Sequence, residues 1–166
     1  MGSVYDTKAI HLIGHSCGAH MLSSIFLDSS SITPSLTPLN VVLQSVKTIA
    51  LSEGLYDLDL LVSDYPEYRS WFIASAFGDM DSYSDFSVTK YPSRTRDIRW
   101  LIIHSTGDTL VNVDQSKVMY EHLHRLLGQD AEGHVKCDFH SLSVEHNDLF
   151  ADEGFVELLV KFASRN

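Results

Sequence analysis

Two rhythms of apolar and polar positions run through the chain. Ala9-Ile10-His11-Leu12-Ile13 is a short strand-type run that stops at Gly14. Beyond it Ala19, Leu22, Ile25 and Phe26 recur at helical spacing, which predicts a helix over about residues 16–28. Strand-type runs return at 46–51, closing on Glu53-Gly54, at 100–104 and at 135–142. A helix is expected from an Asp114 N-cap to about Leu127, with Gly128 at its stop. Phe155, Leu158, Leu159 and Phe162 predict a final amphipathic helix. A short peripheral helix is expected at 39–44. Residues 28–38 have loop composition, and 78–97 are expected to be an exposed connection. The aromatic stretch 56–77 is expected to be partly helical, interrupted at Tyr65-Pro66. There is no internal repeat. Such alternation predicts an α/β fold, with a mainly parallel sheet of about four strands flanked by helices and joined by right-handed crossovers.

Composition narrows the class. A chain of 166 residues suits one domain able to bury a core without disulfides or a structural metal. Twelve Lys and Arg against 22 Asp and Glu leave a net charge of −10, which disfavours nucleic acid and anionic membrane surfaces as partners. No apolar run approaches the roughly 18 residues of a membrane span. No basic stretch followed by an apolar block opens the chain. Cys17 and Cys137 show no metal-ligand spacing or disulfide framework, so a reducing, cytoplasmic setting is expected.

The sharpest chemical signal is Gly14-His15-Ser16-Cys17-Gly18, a G-x-S-x-G pentapeptide between a predicted strand and a predicted helix. A turn this tight projects the serine hydroxyl from the sheet end. Bulky residues at either glycine are expected to collide with the adjoining strand or helix. The helix N-terminus favours developing negative charge, and the Cys17 backbone N–H is the expected oxyanion donor. The Cys17 thiol lies beyond the apex of the turn, where packing is expected.

A serine hydroxyl needs a base. In the chain order serine, acid, histidine that accompanies this elbow, Asp108 follows the third strand and His146 lies between the fourth strand and the last helix. Ser16, Asp108 and His146 thus all follow strand carboxyl ends, where the groups of an open parallel sheet gather. Among the rivals, Asp57 is an alternative acid after the second strand, while Asp114 is expected to cap a helix. His104 reads either way, His140 is expected to pack inside the fourth strand, and His134 belongs to a loop. His122 and His124 are two apart on a helix and face different ways. No metal motif is present, so neither a metal nor a cofactor is expected.

Ile13-Gly14-His15-Ser16-Cys17-Gly18-Ala19-His20 resembles the elbow of esterase/lipase-like α/β-hydrolases. Glu53-Gly54-Leu55-Tyr56-Asp57-Leu58 and Asp64-Tyr65-Pro66-Glu67-Tyr68 resemble fungal kynurenine formamidase, or arylformamidase. The resemblance continues through His104-Ser105 and Asp108 to His146-Asn147-Asp148, and is faint at 28–44 and 78–97. It implies one α/β-hydrolase domain over 1–166, with a cap-like insertion at about 56–97. It implies hydrolysis of N-formyl-L-kynurenine to formate and L-kynurenine, in tryptophan breakdown toward NAD, by Ser16, Asp108 and His146. Tyr56, Tyr65, Trp71 and Phe72 are weaker candidates for an aryl pocket, and Arg69 for the substrate carboxylate.

The chain departs from that family at its start. Relatives carry an upstream His-Gly-Gly motif that completes the oxyanion hole, and only 15 residues precede Ser16. The expectation is a truncated hydrolase domain with one bare edge on its first strand, open to self-association. Alternative functions are a small-acyl carboxylesterase, which uses the same three residues, and an inactive hydrolase-like domain.

Overall fold

A computed structural model of the chain describes residues 6–164. Four strands, β1 (Ile10–His15), β2 (Val46–Ser52), β3 (Arg99–Ile103) and β4 (Val135–Asp138), form one parallel sheet in the order β1-β2-β3-β4. The helices are α1 (Cys17–Phe26), α2 (Asn40–Ser45), α3 (Leu58–Asp64), α4 (Ala74–Phe77), α5 (Val113–Leu127), α6 (Ala131–His134) and α7 (Glu153–Ala163). A π turn spans Arg69–Ile73, just before α4.

The central strands are buried on both faces, and their side chains alternate between two cores. Ile49 and Leu51 of β2 join Trp100 and Ile102 of β3 in one core, with Ala19 and Phe26 of α1 and Met119, Leu123 and Leu127 of α5. Ala50, Leu101 and Ile103 point the other way, toward Leu149, Phe155 and Phe162 around α7. A third cluster, including Leu58, Leu61, Tyr68, Ile73 and Tyr83, ties α3 and the π turn to the Val111 loop. β1 ends the sheet. Ile10 and Leu12 are half-buried against the first core, whereas Ile13 is 50% exposed.

Side-chain capping moves several boundaries from where periodicity puts them. β4 stops at Asp138, not at residue 142, because the Asp138 carboxylate accepts from the N–H groups of His140 and Ser141 and turns the chain. His140 is therefore exposed in a turn, not packed in a strand. Asn112, not Asp114, caps α5, by accepting from Asp114 N–H. His134 lies in α6 instead of a loop. The 78–97 segment is anchored, not merely exposed: Tyr83, Ser87, Val88 and Tyr91 are buried. The Ser87 hydroxyl accepts from Leu58 N–H, and the Arg94 guanidinium donates to the carbonyls of Ile25 and Leu27.

Candidate functional site

Chain progression places four polar groups at the carboxyl ends of four neighbouring strands: Ser16 after β1, Glu53 after β2, Asp108 after β3 and His146 after β4. This is the edge of a parallel sheet where loops are free to carry chemistry.

Ser16 is held at φ 53°, a backbone conformation costly for a non-glycine residue, and its N–H donates to Ser52 O at 2.9 Å. The turn is tight on one side only. A Cβ at position 14 would meet Gly18 O at 2.7 Å and Ala19 Cα at 2.9 Å, so glycine is required there. The space beside Gly18 is open, contrary to the expected collision on both sides. Cys17 is the first residue of α1, so its N–H is among the donors that the helix leaves without an internal acceptor. The Cys17 side chain is exposed.

The Asp108 carboxylate is fixed before it meets any partner. Its Oδ1 accepts from Leu110 N–H at 2.8 Å and Val111 N–H at 2.9 Å. Its Oδ2 lies 2.8 Å from His146 Nδ1, which fixes that nitrogen as the donor. Burial acts to raise the Asp108 pKa, but the bond to His146 and the two backbone donors outweigh it and hold the pKa below the usual carboxylate range. His146 shows the reverse balance. Burial opposes its cation, yet the hydrogen bonds and charges of Asp108 and Glu53 push its pKa up to about 9.

Three further groups complete the surroundings of the imidazole. The His15 ring packs tilted, at 43°, against the His146 ring at 4.4 Å between centroids, and its pKa is lowered by burial and by the neighbouring His146 charge. His104 lies behind Asp108, with Nε2 3.7 Å from Oδ2; it is buried, and burial lowers its pKa. Glu53 Oε2 lies 3.1 Å from His146 Nδ1. Neither His15 nor Glu53 stood out from sequence. His15 was legible only as a neighbour of the serine. Glu53 looked like the end of a strand, although a carboxylate directly after an apolar parallel strand is itself a signal.

The three sequence candidates are thus brought together unevenly. Asp108 and His146 are bonded. Ser16 lies on the neighbouring turn, but among the described residues its hydroxyl makes no cap or imidazole hydrogen bond. Such contacts are often loose without substrate. The rivals have other occupations. Asp57 caps α3 by accepting from Leu60 N–H, and His104 is bonded to Ser116 and Val111. The donor atoms of His15, Glu53 and His146 lie within 4.8 Å of one another, a spacing a metal ion can bridge, but His146 Nδ1 already carries a proton toward Asp108.

The aromatic candidates divide. Tyr56 is fully buried in the first core, so it cannot wall a pocket. Tyr65 lines a cavity of about 580 Å³ together with His104, Asp108, Phe139 and His140. Trp71 is 66% exposed, and Phe72 packs against the third cluster. Tyr65 and Tyr68 stack at 4.8 Å, and Tyr68 meets Trp71 and Phe72 edge-on or tilted, so these rings form one cluster beside that cavity. Arg69 is paired with Asp79 at 3.0 Å and donates to Met80 O, so it is not a free cation.

Comparison with known proteins places this geometry. No protein-family model matches the chain. It is 31% identical over 125 residues to a kynurenine formamidase of Meyerozyma guilliermondii, covering 72% of the chain and 46% of that relative. It is 24% identical over 177 residues to a kynurenine formamidase of Scheffersomyces stipitis, covering 92% and 62%. The chain thus spans roughly half the length of the curated relatives it matches. Among solved structures, the acylaminoacyl peptidase of Pyrococcus horikoshii matches with a TM-score of 0.63 at 20% identity, covering 96% of the chain and 24% of that protein. Esterase B of Lactobacillus rhamnosis matches with a TM-score of 0.63 at 13% identity, covering 95% and 51%. The parallel sheet, the serine elbow and these likenesses together identify the chain as bearing the α/β-hydrolase fold, with a sequence similar over most of its length to the fungal kynurenine formamidases.

Proposed function

We propose that the chain carries the nucleophile, base and acid of a serine hydrolase that cleaves an aryl formamide of the N-formyl-L-kynurenine type. The observation that carries this is the 2.8 Å bond between a preorganised Asp108 carboxylate and His146, beside a serine held in strained backbone at the neighbouring strand end. The similarity to fungal kynurenine formamidases supports the substrate class.

The chemistry closes without a cofactor. Ser16 Oγ attacks the formyl carbon as the free nitrogen of His146 takes the hydroxyl proton. The Cys17 N–H at the start of α1 stabilises the oxyanion. Asp108 holds the imidazole in the donating tautomer and stabilises its cation. The carbon–nitrogen bond then breaks, and His146 returns the proton to the departing arylamine. Water attacks the formyl ester on Ser16 with His146 again as base, releasing formate and restoring the serine.

A fluorophosphonate probe tests the proposal on the 166-residue chain. Labelling at Ser16 is expected, lost in Ser16→Ala and slowed in His146→Ala. Hydrolysis of an aryl formamide in preference to nitrophenyl acetate supports the formamidase assignment, and the opposite preference makes it a small-acyl esterase. A folded chain that does not label at any pH up to 10 rejects a hydrolytic role.

A further inference from the structure

We propose that Glu53 is a second positioning carboxylate, sharing the Nδ1–H of His146 with Asp108, so that acids from two adjacent strand ends hold one imidazole. The proposal rests on His146 being the base of the reaction above. Its geometry stands on four observations.

Glu53 is fully buried and sits at φ 50°, the second of two strained non-glycine residues among those described. Strain of this kind persists only where surrounding structure enforces it. The Glu53 N–H donates to Ile103 O at 3.0 Å, and its Oε1 accepts from Ser105 N–H at 3.1 Å. The side chain is therefore clamped from β3 on one oxygen. Oε2 is left facing His146 Nδ1 at 3.1 Å and His15 Nδ1 at 3.8 Å, and it forms no well-aligned hydrogen bond of its own. A buried carboxylate oxygen in that state is costly unless a cation or shared proton faces it.

Asp108 repeats the plan. Backbone N–H groups occupy its Oδ1, and Oδ2 lies 2.8 Å from the same Nδ1. Each acid thus has one oxygen anchored on backbone and one aimed at a single nitrogen. One N–H between two acceptors is a three-centre arrangement, which fixes the ring against rotation and favours its cation more than either acid does alone. The titratable groups facing the imidazole are His15 from the β1 end, Glu53 from the β2 end and Asp108 from the β3 end, with His104 behind Asp108.

The test is NMR titration of the His146 ring in the full chain, with the signal assigned by His146→Gln. Wild type, Asp108→Asn, Glu53→Gln and the double variant are compared, alongside rates of Ser16 labelling. Each single variant is expected to weaken proton binding at His146 about tenfold, leaving its midpoint above the free-imidazole value of about 6.5. The double variant is expected to fall by more than the two single shifts together, below that value, because neither acid is then left to take over the proton and burial acts unopposed. Glu53→Gln is also expected to move the pH profile of labelling downward by the same amount, which loss of packing alone would not do. If Glu53→Gln does not fold, Asp108→Asn decides alone: a His146 midpoint above about 6.5 supports the second acid, and one below it overturns the proposal. A His146 midpoint unmoved by Glu53→Gln also overturns it. If titration follows the expected pattern but wild type does not label, the hydrolase assignment fails while the shared proton stands.

Discussion

The contact most exposed to a single substitution lies one residue before the acid. Gly107 passes against the loop that leads to His146. A Cβ built there would meet Ser143 O at 2.3 Å, Ser143 C at 2.7 Å and Val144 O at 2.8 Å, all of them backbone atoms that cannot swing aside. A carbon needs about 3.3 Å from such an oxygen, so Gly107→Ala must part the two loops by roughly 1 Å. That displacement falls on the Asp108–His146 bond, now 2.8 Å, and stretches it beyond hydrogen-bonding range. A displacement of this size in a reacting constellation costs about 10²-fold in rate. The expected stability loss is about 2 kcal/mol, that of one hydrogen bond to a charged group. The assay is the rate of fluorophosphonate labelling at Ser16, read beside urea denaturation of the same sample. A folded Gly107→Ala chain that labels within threefold of wild type would refute the claim that these loops set the acid–base geometry.

Three other outcomes follow from the structure. The His146 pKa, raised from 6.5 to about 9, gives stability that is full below pH 6.5 and is lost as pH rises through about 9, while activity runs the other way because the base must be neutral; labelling rates should climb with pH toward about 9, and a flat profile between 7 and 9 counts against His146 as base. Ser16→Gly relieves the strain at φ 53° and removes the nucleophile, so it should raise stability by about 1 kcal/mol in urea denaturation while abolishing labelling; unchanged or lowered stability would show that the turn is not strained. The outer edge of β1, with Ile13 50% exposed, is proposed to pair with a second copy of the chain; Ile13→Lys should shift sedimentation toward monomer, and equal sedimentation of both would exclude that edge.

Much of this protein is written locally. The alternation of β2 and β3 and the spacing of Phe155, Leu158, Leu159 and Phe162 declare strands and a helix because burial on one face or two imposes a period on the sequence itself. The serine elbow is legible for the same reason: Gly14 is demanded by atoms only four and five residues away. The order of Ser16, Asp108 and His146 along the chain, each after a strand end, pointed to the two loops whose Asp108 and His146 side chains lie 2.8 Å apart. The ends of β4 and the caps of α5 were not legible, since Asp138 and Asn112 act through side-chain bonds that periodicity does not record.

Only the tertiary structure decided what surrounds the imidazole. Glu53 and Asp108 are 55 residues apart in the sequence numbering and meet at one nitrogen because β2 and β3 are hydrogen-bonded neighbours in register. Tyr56 stood among the weak aryl-pocket candidates that accompanied the family resemblance, but chain direction after Glu53 turns it into the core. Period and motif are properties of one segment, whereas the sharing of a proton depends on distances between segments, and those are fixed only when the sheet assembles.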